Sequence, residues 1–200
     1  MQQAFTRLDR QPCDVQQRAA VDALIDESDR LAVLVADLLQ LARADEQAPV
    51  ADVDLRSLVT DRVEMWRAFV ADRDIAIDLQ APEGSVVARA VPGAVEQVLD
   101  NLLDNAQNAS PDHATLRIEL VAGEHEHVLR LSDEGPGLSD VDKEQAVRRF
   151  WRGDASTPGT GLGLAIATAL VEGSGGTIQL TDAPVRGLCV VVRLVAATPP

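Results

Sequence analysis

The chain has no tyrosine, three phenylalanines and two tryptophans in 200 residues, so any core must be packed from aliphatic side chains. Cysteine is almost missing as well. Cys13 and Cys189 stand far apart, without CxxC spacing or an adjacent histidine, so neither a disulfide framework nor a zinc site is indicated. Long apolar runs are absent: the stretches Leu31 to Ala42 and Leu188 to Ala197 are short and interrupted by Asp37 and Arg193, which excludes a membrane span. The start, Met1 to Asp14, lacks the apolar run that an export signal needs, and a cytoplasmic location is expected. Lys143 is the single lysine beside seventeen arginines, and the net charge is −14. With no concentrated basic patch, this balance argues against a nucleic acid partner; a phosphate ligand would have to be held by local groups. What is present is 46% apolar residues against 25% charged ones, enough for a substantial core in one or two domains.

From Gln16 to Ala44 there is neither glycine nor proline. Val21, Leu24, Ser28, Leu31, Val35, Leu38 and Ala42 recur at alternating steps of three and four, a heptad seam. Two readings stay open: a long helix packed on its own domain, or one helix of a dimerising bundle. Asp45 to Ala51, with Pro49 inside it, reads as a linker, and the division expected is residues 1–48 and 49–200. In the second part the pattern predicts a short strand at Asp54 and Leu55, a helix over 57–71, and strands over 75–79 and 86–89. A helix to Ala109, a hairpin over 115–131, a helix over 161–172 and strands over 177–181 and 188–195 follow. Segment 138–160 reads as a polar, mobile loop.

The helix ending at Ala109 carries the most informative pattern. Val98, Leu99, Leu102, Leu103 and Ala106 make most of its surface apolar, yet Gln97, Asn101, Asn105 and Asn108 fall on one face at steps of four, four and three. Asparagine is a mediocre helix former, so three on one face carry a cost that a ligand would justify. A solvated amphipathic face explains this helix equally well. Two glycine-containing loops follow, Asp133-Glu134-Gly135-Pro136-Gly137 after a strand and Gly159-Thr160-Gly161-Leu162-Gly163-Leu164 at a helix start. Each alone is a common turn pattern.

Together, Asn101-Leu102-Leu103-Asp104-Asn105-Ala106 and the two loops resemble the asparagine box and the two glycine boxes of sensor histidine kinases. Phe150-Trp151-Arg152 resembles the aromatic box of that family, and Gly175-Gly176-Thr177-Ile178 its final turn and strand. Asp29-Arg30-Leu31 and Asp37-Leu38-Leu39-Gln40-Leu41-Ala42-Arg43 resemble the second helix of the kinase dimerisation bundle. The resemblance implies an α/β fold, a two-layer sandwich with a mixed sheet, preceded by a helical dimerisation segment. It implies ATP and Mg²⁺ as ligands, with the amide oxygen of Asn105 on the metal and Asp133 accepting from the adenine amino group. Asn108, Gly135, Gly137, Leu138, Thr160, Gly161, Leu162, Gly163 and Leu164 would complete the nucleotide site. Arg152 would reach the phosphates; Arg148 and Arg149 either do the same or solvate a loop.

Asn101 separates the activities within this resemblance. Related gyrase-type ATPases and anti-sigma-factor serine kinases carry a glutamate general base where Asn101 stands. A neutral amide cannot take a proton from water or serine, whereas a histidine ring nitrogen is already nucleophilic near neutral pH. The implied activity is transfer of the γ-phosphoryl to a histidine on another chain or a preceding segment, then to a response regulator. The chain departs from the family at Asn108 and Ala109, where a basic residue and an aromatic are usual, and in lacking an acceptor histidine. His113, His125 and His127 lie at or near turns and are expected to be exposed. A non-enzymatic nucleotide-binding or dimerisation module regulating a complete kinase is the competing reading, and a gyrase-like ATPase a third.

Overall fold

The computed structural model describes residues 48–151 and 160–197, together with residues 24, 28, 31, 32 and 34–39. The chain divides into two units, Met1–Ala36 and Asp37–Pro200. In the first, the described residues are helical, and Leu24, Leu31 and Val35 of the heptad expose 70%, 54% and 57% of their surface.

In the second unit, strand β1 (Ala51–Asp54) runs directly into helix α1 (Leu55–Val70). Asp54 caps that helix, its Oδ1 accepting the N–H groups of Arg56 at 3.0 Å and Ser57 at 3.4 Å. This cap explains why Leu55, expected in a strand, opens a helix. Strands β2 (Ala76–Gln80) and β3 (Val87–Ala90) lead to helix α2 (Ala94–Ala109). The hairpin β4 (Thr115–Val121) and β5 (Glu126–Ser132) follows, then the short helix α3 (Asp140–Ala146). Helix α4 (Gly163–Gly173) and strands β6 (Thr177–Asp182) and β7 (Leu188–Val195) end the fold.

The strands form a two-stranded sheet, β1 with β3, and a five-stranded mixed sheet in the order β2-β4-β5-β7-β6. Only β2 and β4 pair in parallel in the larger sheet. In β4, Leu116, Ile118 and Leu120 point inward and alternate with more exposed residues, the two-residue period of a sheet with one covered face. They share one aliphatic core with Val59 and Val63 of α1, Leu99, Leu102 and Leu103 of α2, and Ala167 and Val171 of α4. The layered α/β sandwich is therefore as expected, and it is packed without a buried aromatic ring among its fully covered side chains.

Two departures have simple causes. Helix α3 lies in a segment expected to be loop; Ser139 caps it by accepting the Asp142 N–H at 3.2 Å, and its polar sequence has no apolar stripe to reveal it. His127 is 7% exposed rather than solvated, because Nδ1 accepts the Gly123 N–H at 3.2 Å while Nε2 lies 2.9 Å from the Val87 carbonyl. A ring with both nitrogens satisfied can be buried; His113 and His125 are exposed as expected.

Candidate functional site

Helix α2 is held at mid-length and at its C-terminal end, and this sets the direction of its polar face. Asp100 accepts the Trp66 indole N–H from α1 at 2.8 Å. At the C-terminal end the Arg73 guanidinium donates to the carbonyls of Gln107 (2.6 Å) and Ser110 (2.7 Å) and pairs with Asp112 at 2.8 Å. A fixed cation at a helix C-terminus satisfies free carbonyls and complements the dipole. On the face so oriented, Asn101 is half-buried, and Asn105 and Asn108 are exposed.

That face meets the start of α4. A Cβ at Gly163 would lie 3.4 Å from Asn101 Oδ1, and 3.5 and 3.6 Å from Asn105 Nδ2 and Oδ1. The structure thus brings together Asn101, Asn105 and Gly163, which are about sixty positions apart in sequence. The backbone turns into α4 through Gly161 at φ 71°, and no side chain among the described residues caps the helix. Its leading N–H groups and positive dipole end are available to an anion. Thr160 Oγ1 accepts the Leu162 N–H at 3.3 Å and donates to Asp37 Oδ2 at 2.6 Å. Phe150 N donates to the Gly161 carbonyl at 3.0 Å, so the aromatic segment is tied to the glycine loop. Arg152 lies outside the described residues.

Asn101 Nδ2 is buried without a hydrogen-bond partner among the described residues. An unpaired buried donor costs about 1–3 kcal/mol unless a water or a ligand meets it, which makes the neighbourhood of Asn101 and the start of α4 a candidate ligand position. A cavity of about 470 Å³ opens on the other side of the same residue, lined also by Asp37, Arg62, Gly93, Glu96, Gln97 and Asp100; Asn105, Asp133 and Gly163 do not line it. No group of three or more histidine, cysteine, aspartate or glutamate side chains suited to a metal occurs among the described residues.

Asp133 follows β5 directly and is 5% exposed. Its Oδ1 accepts the N–H groups of Gly135 at 2.8 Å and Leu188 at 3.1 Å. Burial raises the carboxyl pKa, and those two N–H donors draw it partly back. No hydrogen bond to Oδ2 is found among the described residues, so one carboxylate oxygen is spent on the fold and the other remains for a ligand. Gly135 is required by the protein itself: a Cβ there would sit 2.7 Å from the Ala109 carbonyl and 3.0 Å from Asp133 Oδ1. Gly137 has φ 74° and passes close to the Gly187 carbonyl, and Leu138 is half-buried beside it.

The profile of the family described as Histidine kinase-, DNA gyrase B-, and HSP90-like ATPase matches residues 90–198, more than half of the chain. The chain belongs to this family. Its curated relatives are sensor kinases. Over 182 residues it is 36% identical to the sensor protein SphS of Synechococcus elongatus, covering 84% of this chain and 44% of SphS. Over 185 residues it is 38% identical to the sensor protein KdpD of Mycobacterium tuberculosis, covering 87% of this chain and 21% of KdpD. The chain thus spans less than half the length of either relative. Among solved structures, the fold matches the mycobacterial sensor histidine kinase MprB with a TM-score of 0.66 at 24% identity, over 75% of this chain and 99% of that one. It matches full-length ShkA in complex with AMPPNP with a TM-score of 0.76 at 24% identity, over 93% of this chain and 40% of that one. The ATP-binding fold of histidine kinases is therefore the fold of this chain. Residues that sequence reasoning missed are Arg186, Gly187 and Leu188, which reach Asp133 and Gly135 from the β6–β7 turn. Their one visible signal was a glycine before a strand, a pattern too common to point anywhere.

Proposed function

We propose that the chain is the ATP-binding catalytic part of a sensor histidine kinase. It binds Mg·ATP through the groups around Asn101, Asn105 and Asp133 and delivers the γ-phosphoryl to a histidine on another chain or a preceding segment, for relay to an aspartate of a response regulator. The observation that carries the reading is the buried, unpaired amide of Asn101 beside the uncapped start of α4. The donor set fits Mg²⁺ that arrives with its phosphate ligands: Asn105 offers a hard amide oxygen, and a carboxylate cage is absent among the described residues. When bound, the cation neutralises charge on the triphosphate oxygens. The chain's own groups do the rest. Asp133 Oδ2 accepts from the adenine amino group, and the N–H groups near Gly161, Leu162, Gly163 and Leu164 hold phosphate oxygens.

Thr160 and Asn108 are assigned to the phosphates, as is Arg152, which lies outside the described residues. Asn101 positions the phosphates without acting as a base, which favours a nucleophile that needs no deprotonation. Residues 1–48 supply a helix of the dimerisation bundle and residues 49–200 the catalytic domain. The exposure of Leu24, Leu31 and Val35 supports a partner helix, hence a homodimer or hetero-oligomer. No helix among the described residues is long and apolar enough to cross a membrane, and we place this part in the cytoplasm. The test mixes the chain with a separately made histidine-bearing bundle and γ-labelled ATP. Acid-labile label on the bundle is expected. Nucleotide binding with an unlabelled histidine would sink the kinase reading.

A further inference from the structure

Asp133 is held by a segment 55 positions away. Strands β5 and β7 pair in antiparallel register down to Ser132 opposite Cys189, and the ladder continues one step further, with the Asp133 N–H donating to the Leu188 carbonyl at 3.0 Å. At that step the Leu188 N–H turns to Asp133 Oδ1 at 3.1 Å. The turn before it is closed by the Ala183 N–H on the Gly187 carbonyl at 3.0 Å. From the same turn, Arg186 Nε donates to the Gly135 carbonyl at 3.1 Å, tying down the loop that supplies the other N–H on Oδ1.

Gly187 is what permits this approach. It has φ 101°, a region side chains avoid, and a Cβ there would overlap the Asp133 carbonyl oxygen and lie 2.7 Å from the carbonyl carbon and 2.5 Å from Oδ1. Rotating the carboxylate leaves the overlap with the backbone, so any side chain at 187 must push the turn, and the Leu188 N–H with it, away from Asp133. Releasing the carboxylate matters chemically. A carboxylate oxygen accepts from the exocyclic amine at C6 of adenine and repels the carbonyl oxygen that guanine carries there. Base selection therefore needs the carboxylate held with one oxygen occupied and the other free.

We infer that the β6–β7 turn sets the base specificity of the site, with Gly187, the Leu188 N–H and Arg186 as positioning groups that fix Asp133 for an adenine amine. The inference rests on the ATP reading above. The test compares Gly187→Ala and Arg186→Ala with the unaltered chain, measuring dissociation constants for Mg·ATP, Mg·GTP and Mg·tripolyphosphate, with circular dichroism to check folding. Tripolyphosphate reports the phosphate half alone.

In Gly187→Ala the ATP affinity should fall about tenfold or more and the preference for ATP over GTP should shrink, while tripolyphosphate binding stays within twofold. Arg186→Ala, at an exposed position, should fold and show the same pattern at about two- to threefold. An unchanged ATP-to-GTP ratio in a folded Gly187→Ala would overturn the inference. If that variant does not fold, an unchanged ratio in Arg186→Ala would do so. Equal loss of ATP and tripolyphosphate binding would also overturn it. An unaltered chain that holds tripolyphosphate as tightly as ATP would instead overturn the ATP reading itself, and this inference with it.

Discussion

Around Asp133 the polar groups are already paired: two backbone N–H groups on one carboxylate oxygen, a strand ladder behind it, and a guanidinium on the neighbouring loop. At the Asn101 end the pairing is incomplete, with an orphaned amide, an uncapped helix and exposed Asn105. The difference follows from what each end must recognise. A base is read by one fixed donor or acceptor pattern, which a preformed backbone grip supplies without reorganisation. A triphosphate with its cation carries charge that the free protein cannot mimic, so the groups meant for it stand unsatisfied until it arrives.

The strongest way to break this comparison is Asp133→Asn. The substituted Oδ1 still accepts from Gly135 and Leu188, so unfolding stability should stay within about 1 kcal/mol. The other position becomes a donor facing the adenine amine, and Mg·ATP affinity should fall about a hundredfold by calorimetry, with tripolyphosphate binding unaffected. Equal losses for both ligands would erase the distinction between the two ends. A smaller effect is expected of Asn105→Ala. Its exposed side chain leaves stability unchanged, but the gain in ATP affinity on adding Mg²⁺ should drop about tenfold. An unaltered magnesium dependence would remove Asn105 from the metal.

The smallest effect is on stability against pH. Burial raises the Asp133 pKa above 3.8, so the folded chain holds this proton more tightly than the unfolded one. The stability contributed by that proton is fully present below 3.8 and is lost as pH rises through the folded value. Urea midpoints of the unaltered chain should therefore decline relative to Asp133→Asn across that window. Parallel curves would mean that the carboxylate is not desolvated.

How much of this was legible in the sequence differs between the ends in the same way. Asn101 and Asn105 could be placed together because helical spacing is local, β4 because of its alternation, and β7 because a short apolar run bounded by turns marks a strand. The grip on Asp133 was not legible, since nothing in the residues around Gly187 says which strand end they will face after folding. Nor did spacing show that Gly135 is demanded by the Ala109 carbonyl rather than only by a ligand. Helix α3 was hidden by its lack of an apolar period, and His127 by a turn-like sequence whose burial depends on Val87, forty positions away.

Amide hydrogen exchange of the whole chain, with and without Mg·ATP, tests the contrast most directly. The amides of Gly135 and Leu188 should exchange slowly in the free chain and change little on binding, whereas those of residues 160–164 should slow markedly only when Mg·ATP is added. Fast exchange at Gly135 and Leu188 without nucleotide, or no response at 160–164, would contradict a preformed base pocket joined to a phosphate site completed by its ligand.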